Sequence, residues 1–260
     1  MRARPVMAAA LGMVLLLAGC GEPQQDRRQG AAPAPTAAAS PSSAAPSPRQ
    51  TTKPKPRLRP KPSTLPAGLR RATGVRPVAL TFDDGPDPAW TPKILDQLRA
   101  ARVKATFCLV GTEVRKHPEL VVRIVREGHQ LCNHSWEHDF DLGRRPVADI
   151  RADLTRTNQA IQAVVPGAKV PFYRQPGGRW TAEVVAVARQ LGMRSLHWSV
   201  DPQDWAKPTA ETLAKRVHRA ARPGAIVLMH DGGGDRSRTL AACPHVIKDL
   251  KRRFGVAPPR

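Results

Sequence analysis

From residue 76 onward the chain alternates between two rhythms. Short apolar runs bounded by turn residues alternate with longer stretches in which apolar residues recur every three or four positions. The runs fall at 77–82 (PVALTF), 103–111, 129–134, 170–175, 195–201 and 225–231, and each predicts a strand. Helical spacing fills the intervals: 91–101 with Thr91 and Pro92 at its start, 117–128 closed by Gly128, 147–165, 181–192, 209–221, and a last helix over 237–254. Strands separated by helices predict a mainly parallel sheet with helical crossovers. The stretch is short for a complete eight-fold barrel of about 250 residues, so the expected fold is α/β, an irregular or incomplete (β/α) barrel.

In such folds the chemistry sits at the C-terminal ends of the strands. Here the polar clusters fall there in succession: Asp83-Asp84 after PVALTF, His134-Ser135-Trp136-Glu137-His138 after HQLCN, Arg174 in RQPGG, Asp201 in DPQDW, and His230 after AIVLM. Two histidines four residues apart can bind one metal ion, and two histidines with one carboxylate form a recurring catalytic zinc set. Asp83 or Asp84 supplies that carboxylate. One aspartate would bind metal and the other would stay free as a base, with the cation offsetting their mutual repulsion. His230 is the candidate acid for a leaving group. Arg174 would pair with the free aspartate, and Asp201 would hold and charge a histidine.

These segments resemble, in order, the five motifs of the polysaccharide deacetylases, the NodB-homology or carbohydrate esterase family 4 domain. The motifs are TFDDGP, HSWEH, RQPGG, DPQDW and LMH, the last being Leu228 to His230. The resemblance spans residue 77 to about residue 254. It implies a distorted (β/α) barrel and metal-dependent removal of acetyl groups from N-acetylated sugars. By resemblance Asp83 is the general base and His230 the general acid. Asp84, His134 and His138 are ligands of one divalent ion of the zinc type, cobalt being an alternative. Arg174 orients the base and Asp201 tunes the acid. Trp205 and Leu228 are walls of the acetyl pocket, and the backbone N–H of Gly177 serves the oxyanion. Many members carry Tyr where this chain has Gly177, which bears on the groove and on substrate choice. His117, His218 and His245 read as surface residues, His129 and His197 as structural ones, and Trp136 and Trp198 as packing residues.

Residues 1–75 lack both rhythms. Arg2 and Arg4 precede an apolar run at 6–17, too short to span a bilayer as a mature helix, and Leu17-Ala18-Gly19-Cys20 resembles a bacterial lipobox. The expectation is a signal peptide over 1–19, lipid on Cys20, and anchoring to the outer face of the bacterial cell membrane; the alternative is an ordinary secretory signal with Cys20 incidental. Residues 20–75 read as a disordered Pro/Ala/Lys/Arg-rich tether ahead of a catalytic domain at 76–260. The 260 residues hold 42 Lys/Arg and 21 Asp/Glu, a net charge of +21, and the N-terminal stretch is the more basic per residue. A cationic tether suits an anionic surface such as lipid head groups or acidic wall polymers. The basic run has no aromatic residue for stacking, so nucleic acid is not an expected partner. Of the other cysteines, Cys108 and Cys132 lie on consecutive strands. They read equally as a bridge or as small buried hydrophobes, with Cys243 left over.

Three rival readings remain. HSWEH also reads as the inverted zinc-protease motif, but that motif needs a helix and leaves four clusters without a role. A non-catalytic wall-binding lipoprotein would not require the complete set of acids and histidines. An O-acetyl xylan esterase or a chitooligosaccharide deacetylase would use the same site. Export places the protein beside peptidoglycan, which favours N-acetylated wall sugars as substrate.

Overall fold

The computed structural model describes residues 58, 59, 62 and 64–260. The expected signal peptide, Cys20 and most of the expected tether lie outside the described residues. Seven strands form one sheet: β1 (Leu69–Arg70), β2 (Ala79–Asp83), β3 (Thr106–Leu109), β4 (Gln130–Asn133), β5 (Phe172–Tyr173), β6 (Arg194–Leu196) and β7 (Ile226–His230). Their order is β1-β6-β5-β4-β3-β2-β7 and every pairing is parallel. The sheet curls until its two edges are tied by isolated bridges, Val200 with Val227 and Ala72 with Ala225. The expected incomplete barrel is the observed fold.

Helices α1 (Thr91–Ala101), α2 (Gly111–Lys116), α3 (Pro118–Arg126), α4 (Val147–Val164), α5 (Ala182–Gln190), α6 (Ala210–Ala220) and α7 (Ser237–Arg253) supply the crossovers. All five residues of β2 are buried, because a parallel strand covered by helices on one face and barrel interior on the other has no wet side. Leu80, Phe82, Phe107 and Leu109 point outward into the main core, against Ile94, Leu95 and Leu98 of α1 and Val246, Ile247 and Leu250 of α7. The opposite, inner face carries Ala79, Cys108, Cys132, Phe172, Leu196 and Ile226, drawn from strands alone. Two-residue periodicity thus directs Thr81 and Asp83 inward, in line with Ala79.

Two expectations need correcting. The folded unit does not begin at residue 76: β1 pairs with β6, Leu69 against Ser195 and Arg70 against Leu196. Arg59, earlier still, donates its backbone N–H to Arg144 O at 2.9 Å and its guanidinium to Gly143 O at 2.9 Å. A two-residue edge strand set between Gly68 and Arg71 has no apolar run to betray it, and its pairing is carried by backbone groups. Second, α2 interrupts what read as one strand-to-helix passage; its N-terminal Gly111 is packed against the Trp136 ring, where a Cβ would lie 2.3 Å from Cε3.

The two readings left open for Cys108 and Cys132 resolve as a disulfide. The two residues are direct partners in the β3–β4 register, with Cα atoms 4.1 Å apart, and both are fully buried. Among the described residues Cys243 is the free thiol, buried on α7, and burial pushes its pKa up to about 12.

Candidate active site

The parallel register assembles the site. Asp83 and His230 are direct partners at the ends of β2 and β7. His134 follows the last residue of β4, and Arg174 follows the last residue of β5. Asp84, Ser135 and His138 adopt φ of 75°, 67° and 57°, a left-handed conformation that non-glycine residues rarely hold. Such strain persists where surrounding structure over-determines it, and it clusters at functional sites.

Asp84 Oδ1 lies 3.4 Å from His134 Nε2 and 3.1 Å from His138 Nε2. One ligand atom from each of these residues falls within 4.8 Å of the others. The donor set fits a zinc-type ion on two further grounds. His134 Nδ1 sits 2.8 Å from the Arg174 carbonyl oxygen, which fixes the proton on Nδ1 and leaves the Nε2 lone pair aimed at Asp84. Asp84 Oδ1 is buried and has no hydrogen-bond donor, an orphaned acceptor of the kind a cation satisfies. Burial opposes ionisation of Asp84, but the two imidazoles beside it, which donate to it whenever they carry a proton on Nε2, and the charge of His230 hold its carboxyl well below the usual range.

Asp83 is tied on one side only. Arg174 Nη1 donates to Asp83 Oδ1 at 2.6 Å and to Thr81 Oγ1 at 2.8 Å, and Arg174 Nε donates to Leu196 O at 3.0 Å. The guanidinium is fully buried, so its charge is matched by these partners and not by water. Asp83 Oδ2 faces the ligand cluster, 3.6 Å from His134 Nε2.

The carboxylate on His230 is Asp204, not Asp201. Asp204 Oδ1 lies 2.6 Å from His230 Nδ1, while Asp204 Oδ2 accepts from His230 N at 2.9 Å and from Thr239 Oγ1 at 2.8 Å. Asp201 is exposed and uses Oδ1 to accept from Gln203 N at 2.7 Å. Gln203, at φ 58°, turns the chain into a short 3-10 turn over Asp204–Ala206 and brings the second aspartate of DPQDW inward. The spacing of DPQDW does not say which aspartate turns in. Burial lowers the pKa of His230, but the hydrogen bond and charge of Asp204, joined by Asp84 and Asp83, outweigh it and raise it to about 9. With Nδ1 engaged, its Nε2 is the group left for substrate.

A cleft of about 860 Å³ joins these groups. Its lining includes Asp83, Asp84, His134, His138, Gly177, Asp201, Trp205, Leu228 and His230. Leu228 is buried and Trp205 is 53% exposed. Trp198, which read as a packing residue, also lines it, as does Arg236, which the sequence did not single out. Arg236 is buried, donates from Nε to Gly232 O at 2.6 Å, and brings Nη2 to 3.6 Å from Asp84 Oδ2. No local signal marked it, since it comes from the loop after β7, beyond the last motif. His129 and His197 are buried; burial, with nearby cations, lowers each to about 4 and leaves both neutral.

A curled parallel barrel with two carboxylates, two metal-ready imidazoles and a carboxylate-backed histidine at its strand ends defines a hydrolase site. A profile of the polysaccharide deacetylases matches residues 70–196. A chitooligosaccharide deacetylase of Bradyrhizobium sp. (strain ANU 289) is 43% identical over 198 residues, covering 72% of this chain and 90% of the relative. A peptidoglycan-N-acetylglucosamine deacetylase of Bacillus cereus is 37% identical over 179 residues, covering 68% and 82%. Among solved structures, the Bc1960 peptidoglycan N-acetylglucosamine deacetylase matches with a TM-score of 0.70 and 32% identity, covering 74% of this chain and 90% of that one. BA3943, a family 4 pseudoenzyme of Bacillus anthracis, matches with a TM-score of 0.68 and 32% identity, covering 75% and 68%. The chain belongs to the polysaccharide deacetylase family.

Proposed function

We propose that this deacetylase removes N-acetyl groups from N-acetylglucosamine-type polysaccharide, most of all peptidoglycan, using one divalent ion of the zinc type held by Asp84, His134 and His138. The observation that carries the reading is the pairing on either side of that ligand cluster. Arg174 holds one oxygen of Asp83, and Asp204 holds one nitrogen of His230. A pseudoenzyme keeps this fold, so the fold alone carries no activity; the two buried pairs argue for it.

When bound, the ion supplies Lewis acidity and positive charge for the acetamide oxygen as it becomes an oxyanion. Asp83, fixed by Arg174, takes the proton of the attacking water through its free Oδ2. His230, charged at neutral pH, gives its Nε2 proton to the departing amine, and Asp204 stabilises the imidazolium before that transfer. Leu228 and Trp205 wall the space for the acetyl methyl. The backbone at Gly177 is the candidate second donor to the oxyanion.

The substrate preference rests on export. The apolar segment ending in Cys20 supports a lipid anchor on the outer face of the membrane, and the basic stretch before the domain supports attraction to an anionic wall or lipid surface. An inhibitor of lipoprotein signal peptidase is expected to leave an unprocessed precursor; normal processing would make Cys20 incidental. Chitooligosaccharide is the second reading, favoured by the 43% identical relative. Acetate release by the full chain from peptidoglycan and from chitooligosaccharides, measured side by side, separates the two. Release from peptidoglycan alone supports the wall reading. Release from chitooligosaccharides alone overturns it and keeps the chemistry.

A further inference from the structure

Among the described residues the exposed large aromatic side chains are Phe140, 44% exposed, and Trp205, 53% exposed, and both line the catalytic cleft. Trp205 stands on the acid side, next to Asp204. Phe140 stands on the metal side, with its ring edge-on to His138 at a centroid separation of 4.8 Å. Water-facing aromatic surface costs free energy unless something covers it, and paired exposed rings flanking a cleft mark a ligand surface.

Phe140 is also held in place. Gln175 Nε2 donates to the carbonyl oxygens of Asp139 and Phe140, each at 3.3 Å, and Tyr173 Oη donates to Gln175 Oε1. The strand that delivers Arg174 therefore also pins the Phe140 loop. Arg145 Nε reaches Asp139 Oδ2 at 2.5 Å, and the Arg179 guanidinium lies 4.9 Å from the centroid of the Phe140 ring. Gly177 completes the arrangement. Its φ is 58°, and a Cβ there would meet Phe140 Cδ1 at 2.5 Å and Cε1 at 2.6 Å. The ring occupies the space that any side chain at 177 would need, so residue 177 must stay small while Phe140 holds this place.

We infer that Phe140 is a substrate-binding, specificity-determining residue: its ring is the platform on which a pyranose of the N-acetylated polysaccharide stacks on the metal side of the cleft, opposite Trp205. This rests on the proposed deacetylase reading. A pyranose offers one C–H face to an aromatic ring, and a ring set against His138 and Arg179 on a loop pinned by Gln175 loses little entropy on contact. The platform would favour polymers with an accessible sugar face over small acetyl esters.

The test uses the full chain with Phe140→Ala and Phe140→Tyr. Three quantities are read with chitotetraose and with a peptidoglycan-derived tetrasaccharide: KM and kcat for acetate release, and the equilibrium Kd in an Asp83→Asn background. For the tetrasaccharide the wild type binds more tightly, Phe140→Ala is expected to raise KM and Kd about tenfold, with kcat changed less than threefold. Phe140→Tyr is expected to restore both. Zinc affinity and thermal midpoint are expected to stay at wild-type values, which a merely structural role would not allow. Unchanged KM and Kd in an active Phe140→Ala protein would overturn the platform alone. A wild type that binds the tetrasaccharide through Phe140 but releases no acetate would keep the platform and overturn the deacetylase reading. A fall in kcat and zinc affinity at constant Kd would make Phe140 a support for His138 and overturn the inference.

Discussion

Two aspartates side by side in TFDDGP divide their labour through their partners. Asp83 has Arg174 on one oxygen, whereas Asp84 has two imidazoles on one oxygen. Asp83→Asn is expected to keep zinc affinity within a few-fold and to lose about 10²–10⁴ in kcat, the usual worth of a positioned proton acceptor. His134→Ala is expected to lose both, by calorimetric zinc titration and acetate assay. The acid carries a second test. His230 has its pKa raised in the folded chain from 6.5 to about 9, so the stability from its pairing with Asp204 is fully present below about pH 6.5 and is lost as pH rises through about 9. Activity that needs the protonated ring falls over the same rise, and a cation on Asp84, by offsetting the aspartate charges, moves that limb lower. Asp204→Asn removes the main support and leaves the burial that opposes charge, so its alkaline limb is expected well below that of wild type; Asp201→Asn is expected to leave the limb in place. At this scale the clustering of Asp84, His134 and His138 was legible, because the acid pair and His134 follow apolar runs and His138 lies four residues further on. The choice between Asp201 and Asp204 was not, since a left-handed turn at Gln203 decides it. Phe140 was hidden as one aromatic in a polar loop, and its meaning appears only beside Gly177.

Among the elements, β3 and β4 carry the most leverage. Their direct pairing places Cys132 two residues before His134 and Cys108 beside Asp83 in the register. The disulfide closes a separation of 24 residues, and removing a native bridge of this kind costs about 2–5 kcal/mol. Replacing both cysteines by Ala is expected to lower the thermal midpoint by several degrees. An unchanged midpoint would show that the bridge constrains nothing beyond the strand pairing. Six strands were readable from apolar runs, β2 and β7 being the longest at five residues each. The edge strand β1 was not: Leu69 stands between Gly68 and Arg70, with no periodicity to read. A chain cut to begin at residue 76 loses β1 and leaves the β6 edge bare. It is expected to melt below the full chain and to aggregate more readily.

For the molecule as a whole, the net charge of +21 bears on the proposed setting: in a chain exported as proposed, that charge would favour an anionic surface such as the wall. The fold class was legible because alternation of periods is a property of the entire chain, robust to errors at any one element. The curl that brings the ends of the sheet together was not, because it is tied by isolated bridges whose Val200 and Ala72 lie outside any regular strand. The central claim is that hydrolysis by this chain depends on one ion at Asp84, His134 and His138. The most direct measurement is acetate release by the full chain after chelator treatment and dialysis, followed by titration with zinc. Activity that falls to background on chelation and returns with a break at one equivalent of zinc is the expected result. Acetate release that chelation leaves intact, or that zinc fails to restore in a protein shown to be folded, would contradict it.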